Sequence, residues 1–162
     1  MRMAYKCRAS PDPDQQAMLA PTFGCVRVVC NRTLAARRAR WINDRRATSY
    51  RETGAALTAM KRLADLVWLN EVSSVPLPAD LRHQHRAFQA FLAGRARYPR
   101  DKSHRGRQAA TDTRSAFRWW EGRLWLAKTR TPLRLVWSWP EIDPATLAPT
   151  TVTVARDPDG RW

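Results

Sequence analysis

The spacing of apolar residues changes partway along this chain, from a helical repeat up to about residue 94 to alternation after Phe117. Helices and strands bury one side at different repeats, so neither an all-helical nor an all-β fold fits. In the first part, Phe23, Val26, Cys30, Leu34 and Trp41 stand at steps of three, four and seven, predicting a long helix from about Phe23 to Arg46. A shorter helix is expected before it: Ser10-Pro11-Asp12-Pro13 caps a start near Pro13, and Pro21 and Gly24 interrupt it. Another is expected around Tyr50–Asp65, then an apolar knot at Trp68, Leu69 and Val72. Helix resumes near Ala79, where Leu81, Phe88, Phe91 and Leu92 share a face, and Gly94 closes it.

Strands flank this helical stretch. The first nine residues alternate loosely and read as one, with Lys6 and Arg8 on one side and Tyr5 and Cys7 on the other. Phe117–Trp120, Glu121-Gly122 and Arg123–Leu126 spell a hairpin with a tight turn. Leu133, Leu135, Trp137 and Trp139 alternate with polar or smaller residues in another strand, and residues 150–155 make one more. The class is α+β, with the opening strand rejoining the late ones. Residues 95–114 are basic and almost free of large apolar groups, which predicts an exposed loop. Asp157-Pro158-Asp159-Gly160 is a strong turn signal with only Arg161 and Trp162 after it. A hairpin lacking one arm, left unpaired where an ancestral chain continued, is expected there; an edge strand that simply ends is the alternative.

Charge narrows the function. The 162 residues include 29 Lys and Arg against 14 Asp and Glu, a net charge of +15. A field of that sign gathers polyanions, and nucleic acid is the leading partner. No run approaches the ~18 apolar residues of a membrane span, and the N-terminus lacks a signal peptide's apolar centre, so a cytoplasmic protein without membrane attachment is expected. Only Lys6, Lys61, Lys102 and Lys128 are lysines; the other 25 cations are arginines, a bias that suits phosphate and base contacts or reflects a GC-rich genome. Cys7, Cys25 and Cys30 form neither a C-x-x-C pair nor a Cys/His cluster, and His83, His85 and His104 have no usable carboxylate pattern. No cofactor, metal or catalytic group is expected.

Phosphate contacts require cations along a surface that follows a backbone. Lys6 and Arg8 on the opening strand are candidates. So is the helical face of Arg27, Asn31, Arg38 and Arg45, at offsets of 4, 11 and 18 residues, and so are Arg95, Arg97, Arg105 and Arg107 in the basic loop. Arg27 and Asn31, beside the apolar stripe, have a structural role as their alternative. Trp119, Trp125, Trp137 and Trp139 are expected in the core of the strands, leaving Trp120, on the face opposite Trp119, as the base-stacking candidate.

An ordered set of motifs carries a resemblance. Lys6-x-Arg8, Gln15-Gln16-x-x-Leu19 and Phe23-Gly24-Cys25-Val26-Arg27-x-Val29-Cys30-Asn31-x-x-Leu34 open it. Trp68-Leu69-x-Glu71-Val72-Ser73-Ser74, Ala87-Phe88-x-x-Phe91, Gly94-Arg95, Tyr98-Pro99 and Lys102-Ser103 follow. Gly122-Arg123-Leu124-x-Leu126-x-Lys128 and Val152-Thr153-Val154-x-Arg156-Asp157 complete it. Together they resemble the N-terminal part of the TnpB proteins, RNA-guided nucleases of insertion sequences whose N-termini are described as helix-turn-helix. Departures are Cys30 where the family often has Tyr, Asp101 where an aromatic is common, and Pro21 within a helix.

The resemblance implies a wedge-like antiparallel β-barrel with an inserted helical recognition domain. Residues 1–11 would supply the first barrel strand, 12–94 the helical insertion, 95–114 the basic loop and 115–162 the remaining strands. It implies partners too: DNA, RNA or both, including a transposon-encoded guide RNA. Family cleavage belongs to a RuvC-like domain with three metal-holding acids and a zinc ribbon, which normally lie beyond the last residue here. The expected protein is therefore a truncated relative that binds without cutting. A stand-alone helix-turn-helix regulator, or one piece of a split nuclease whose other part is separately encoded, remain alternatives.

Overall fold

The computed structural model describes residues 3–162. Three α-helices and six short strands follow one another as β1 (Arg8–Ser10), α1 (Pro13–Asp44), α2 (Tyr50–Met60), α3 (Pro76–Leu92), β2 (Gln108–Thr113), β3 (Phe117–Trp120), β4 (Arg123–Leu126), β5 (Arg134–Val136) and β6 (Thr151–Arg156). The class is α+β, as the change of period requires. The strands pair antiparallel as β1–β5, β2–β6 and β3–β4, and an isolated bridge between Leu124 and Leu133 links the hairpin to the run leading into β5. No closed ring of pairing joins the three ladders among the described residues.

The two helices expected on either side of Pro21 are one. α1 runs unbroken for 32 residues, opened by a capping box in which Asp12 accepts from the Gln15 amide and Gln15 accepts from that of Asp12. Proline at position 21 forfeits one rung, normally a cost of ~3 kcal/mol in a helix interior. Burial on both sides outweighs it: Leu19, Thr22, Phe23, Cys25 and Val26 are all buried while Pro21 itself faces solvent. The stripe is buried at Phe23, Val26, Cys30 and Leu34 but not at Trp41, which is 53% exposed because the last turns of α1 project past the packing. α2 stops at Met60, five residues short of the expected end, and a 3-10 turn (Val67–Asn70) follows it. α3 begins at Pro76 rather than Ala79, because proline in the first turn sacrifices no hydrogen bond. It ends where Gly94 (φ 69) donates to Phe91 O and Arg95 to Ala90 O, a Schellman closure that needs glycine's left-handed freedom.

One apolar cluster serves both halves of the molecule. Leu19, Val26, Val29, Leu57, Leu77 and Leu81 from the helices join Ala110, Leu124, Leu126, Leu133 and Val154 from the strand region. β2 sits against α1 and α3 and carries Ala110 and Asp112 inward. That strand corrects the expected loop: residues 108–113 are paired along their length with β6, from Gln108↔Arg156 to Thr113↔Thr151. Only residues 95–107 remain irregular.

The opening strand is shorter than its alternation suggested. Its Met1 and Arg2 lie outside the described residues, and pairing covers only Arg8↔Val136 to Ser10↔Arg134. Exposure still alternates as expected, with Lys6, Arg8 and Ser10 out and Tyr5, Cys7 and Ala9 half-buried. The partner strand likewise stops at Val136, since the Trp137 indole N–H donates to Trp139 O and Ile142 O at 2.8 Å and folds the chain away. Tyr5 then packs on Trp137 and Trp139 at 5.4 and 5.3 Å. Trp137 and Trp139 thus form an aromatic cluster outside the core, and Trp125 also lies outside it; Trp119 alone of the four expected core tryptophans packs against it.

After the C-terminal turn the last two residues fold back towards the opening segment. Asp157 N–H donates to Arg161 O at 2.8 Å, Trp162 O accepts from Ala9 N–H at 3.2 Å, and the Trp162 ring lies 5.8 Å from Phe23. One backbone hydrogen bond and the Trp162 ring thus tie the last residues to β1 and α1.

Replacing Phe23 with Ala should cost about 3–5 kcal/mol, read as a lowered denaturation midpoint, because this 5%-exposed ring fills the core beside Trp162. Asp112 offers a pH test. Burial without a partner for Oδ1 pushes its pKa up to about 6. A carboxyl raised on folding penalises the native state when ionised, so this group's contribution favours stability as pH falls from 6 towards 4. Asp112→Asn should therefore raise stability by about 1–3 kcal/mol at pH 8 and by almost nothing near pH 4, checked by melts at both pH values.

Candidate nucleic-acid interface

Hydrogen bonds at Asn31 join the two largest groups of candidate cations. Its side chain donates to Lys102 O at 2.9 Å and accepts from Lys102 N–H at 2.7 Å, clasping the basic loop to α1. Lys102 Nζ in turn meets the buried Asp80 on α3 at 3.1 Å. Tyr98 wedges edge-on against Phe88 and Phe91 at 5.4 and 5.2 Å, and the Gln108 amide donates to Ser103 O, His104 O and Gly106 O. The loop is therefore built around Tyr98, Lys102 and Gln108, while its arginines Arg95, Arg97 and Arg105 stay exposed. Arg107 is also exposed and pairs with Asp157 at 3.4 Å, a solvated contact of small worth.

On α1, Arg27 is half-buried one turn before Asn31, and Arg38 is exposed with its guanidinium 6.0 Å from the Tyr98 ring. The helix face and the loop thus make one cationic surface. Asn31 is engaged in holding it together, the structural role that its place beside the apolar stripe allowed. Arg45 stands at the helix end in a left-handed C-cap (φ 52), about 27 Å along the axis from Arg27. The neighbouring Arg37, which the sequence did not single out, is 7% exposed: its guanidinium donates to Gln84 Oε1 and Thr48 O and lies 4.7 Å from the Phe88 ring. It fastens α1 to α3.

Two further groups stand apart in the fold. Arg8 lines an open pocket with Gln16, Arg156, Arg161 and Trp162, while Lys6 is exposed just before it. Trp120 is 63% exposed on the hairpin, directly across from Arg123. Burial pushes the thiols of Cys7 and Cys25 up and that of Cys30 to about 12, away from the reactive thiolate. Among the described residues no three His, Cys, Asp or Glu side chains gather to hold a metal ion, and no helix is long and apolar enough to cross a membrane.

This arrangement of exposed cations along a long N-terminal helix can be set beside what known proteins show. Residues 1–46 match the helix-turn-helix domain family of IS605 OrfB proteins. A Streptomyces pristinaespiralis protein named "Putative RNA-guided DNA endonuclease" is 48% identical over 163 residues, taking in 100% of this chain and 40% of that protein. The Escherichia coli (strain K12) protein named "Putative RNA-guided DNA endonuclease InsQ" is 29% identical over 99 residues, 61% of this chain and 25% of that protein. The chain is thus similar over its whole length to a TnpB-type protein and matches the helix-turn-helix domain of that family at its N-terminus. It spans less than half the length of the curated relatives it matches. Within the matched residues, Pro13–Asp44 form one uninterrupted helix.

Changing Arg95, Arg97, Arg105 and Arg107 together to Ala should weaken nucleic-acid binding at least tenfold while leaving the melting temperature within a few degrees of wild type. Asn31→Ala should do the reverse to stability, losing about 1–3 kcal/mol with the two clasp bonds. Thermal melts beside binding titrations of both variants check the division between surface and scaffold.

Proposed function

We propose that this protein binds DNA, RNA or both as the recognition-and-wedge portion of a TnpB-type system, without cleaving them itself. The observation that carries the reading is the Asn31–Lys102 clasp, which merges the α1 cations and the loop arginines into one surface. Base pairing by a guide RNA would supply sequence choice, while the protein contacts backbone and shape, the division of labour of RNA-guided systems. Residues 12–94 would act as the helical recognition insertion. The three strand ladders would form the wall of the wedge-type barrel, supported by the Leu124↔Leu133 bridge and the apolar filling they share. A separately encoded nuclease part is a further partner of this proposal, and the cytoplasm its setting.

Cleavage of a phosphodiester by metal ions needs clustered carboxylates. Several acids of this chain have structural roles instead: Asp12 and Glu52 in capping boxes, Asp80 on Lys102, and Asp157 and Asp159 around the C-terminal turn.

Binding titrated against salt, together with a nuclease assay, tests the reading. Affinity should fall about a thousandfold between 50 and 200 mM salt if some six phosphates are neutralised, because each contact releases condensed counterions. Purified protein should leave single- and double-stranded substrates intact in Mg²⁺ or Mn²⁺. A salt-independent binding constant, or metal-dependent cutting that follows the protein through purification, would overturn it.

A further inference from the structure

The outward face of the β3–β4 hairpin has a composition that folding does not explain. The register pairs Arg118 with Trp125 and Trp120 with Arg123, so these four side chains share one face, while Phe117, Trp119, Leu124 and Leu126 point to the core. The Arg118 guanidinium lies over the Trp125 ring, 4.4 Å from its centroid. Trp120 has no such cover and is 63% exposed, the most open of the exposed large apolar side chains on the strands. Neither Arg118 nor Arg123 has an ion-pair partner among the described residues. Glu121 is an acid within the turn itself.

The face is also held rigidly. The turn residues Glu121 (φ 48) and Gly122 (φ 71) give the two-residue connection that matches strand twist. Gly122 abuts Pro144, whose ring would stand 3.1 Å from an added Cβ, and the Trp119 indole N–H donates to Pro144 O at 3.1 Å. The hairpin tip is thus fastened from behind. An open ring carried on a fixed backbone loses less freedom when something flat is laid on it than one on a mobile loop, which favours base stacking.

We infer that this face is a stacking platform for unpaired nucleobases: one base lies on the Trp120 indole, and Arg123 and Arg118 meet the flanking phosphates. Residues two apart on a strand are roughly 7 Å apart, so Arg118 and Trp120 are spaced to address a phosphate and a base of one extended strand. A duplex cannot use the platform, because its bases are already stacked. The inference rests on the nucleic-acid reading above and specifies what that reading leaves open, namely a single-stranded element of RNA or DNA.

The test compares wild type with Trp120→Ala, Trp120→Phe and Arg123→Ala by fluorescence anisotropy. The probes are an oligothymidylate, an oligouridylate, an abasic chain of the same length and charge, and a duplex. Trp120→Ala should lose about tenfold in affinity for the two base-bearing strands and nothing for the abasic chain or the duplex. Trp120→Phe should recover most of that loss, and Arg123→Ala should weaken the abasic chain as well. The two homopolymers show whether ribose or deoxyribose is preferred. Equal affinity of wild type for base-bearing and abasic strands, or equal losses on both in Trp120→Ala, would overturn the platform while leaving duplex binding and the broader reading intact. Failure of wild type to bind any probe would overturn both. Sedimentation showing a wild-type dimer that Trp120→Ala dissolves would assign the ring to a subunit contact instead, and would overturn the platform too.

Discussion

Burial of one side of α1 is the constraint on which the other elements depend, because α3, β2 and the C-terminal turn all use that side as their floor. Leu19, Phe23, Val26, Val29 and Leu34 lie at or below 5% exposure. All of these but Leu34 belong to a cluster that continues into Leu124, Leu126, Leu133 and Val154 from the strand region. At ~25 cal/mol per Å² of apolar area, one such helix side supplies more stabilisation than a single lost rung can remove. That is why Pro21 is tolerated in the helix. Where packing ends the helix gains nothing further from it, and Trp41 and Ile42 are left in solvent.

A second consequence concerns charge. Folding places several of the acids in scaffold roles. Glu52 is held at a pKa of about 2 by the Ser49 amide and the Arg40 guanidinium, and Asp80 fixes the loop through Lys102. The arginines of the 95–107 loop and the outer side of α1 are not consumed in the same way, so the positive excess appears on the surface where α1 and the loop meet. Arg37 is the exception that shows the cost of doing otherwise. Its guanidinium is taken inside only with two hydrogen bonds and an aromatic face, and burial still lowers its pKa.

The candidate site was partly legible in the sequence. Exposed arginines at 95, 97 and 105 could be read from a stretch with few apolar neighbours, and Trp120 from its place opposite Trp119. The roles of Asn31, Lys102 and Arg37 could not be, because a polar side chain beside an apolar stripe reads the same whether it meets solvent or a backbone 71 residues away. Gln108–Thr113 was read as loop for a related reason. QAATDT has no large apolar residue, and its strand form is imposed by the β6 partner and the buried Ala110.

What the sequence determined by itself is local. The capping box at Asp12, the hairpin turn at Glu121-Gly122, the Schellman stop at Gly94 and the shift from helical to alternating repeat each depend on residues within a few positions. Net charge is likewise independent of the fold. Tertiary structure alone decided whether Pro21 would break a helix and which tryptophans would be covered. It also decided that Trp162 would dock on Phe23 and Ala9, and that the basic loop would be clasped to α1 at Asn31. Each of these outcomes compares a local cost with burial or hydrogen bonding supplied by a distant segment, and only the assembled core fixes the size of that gain.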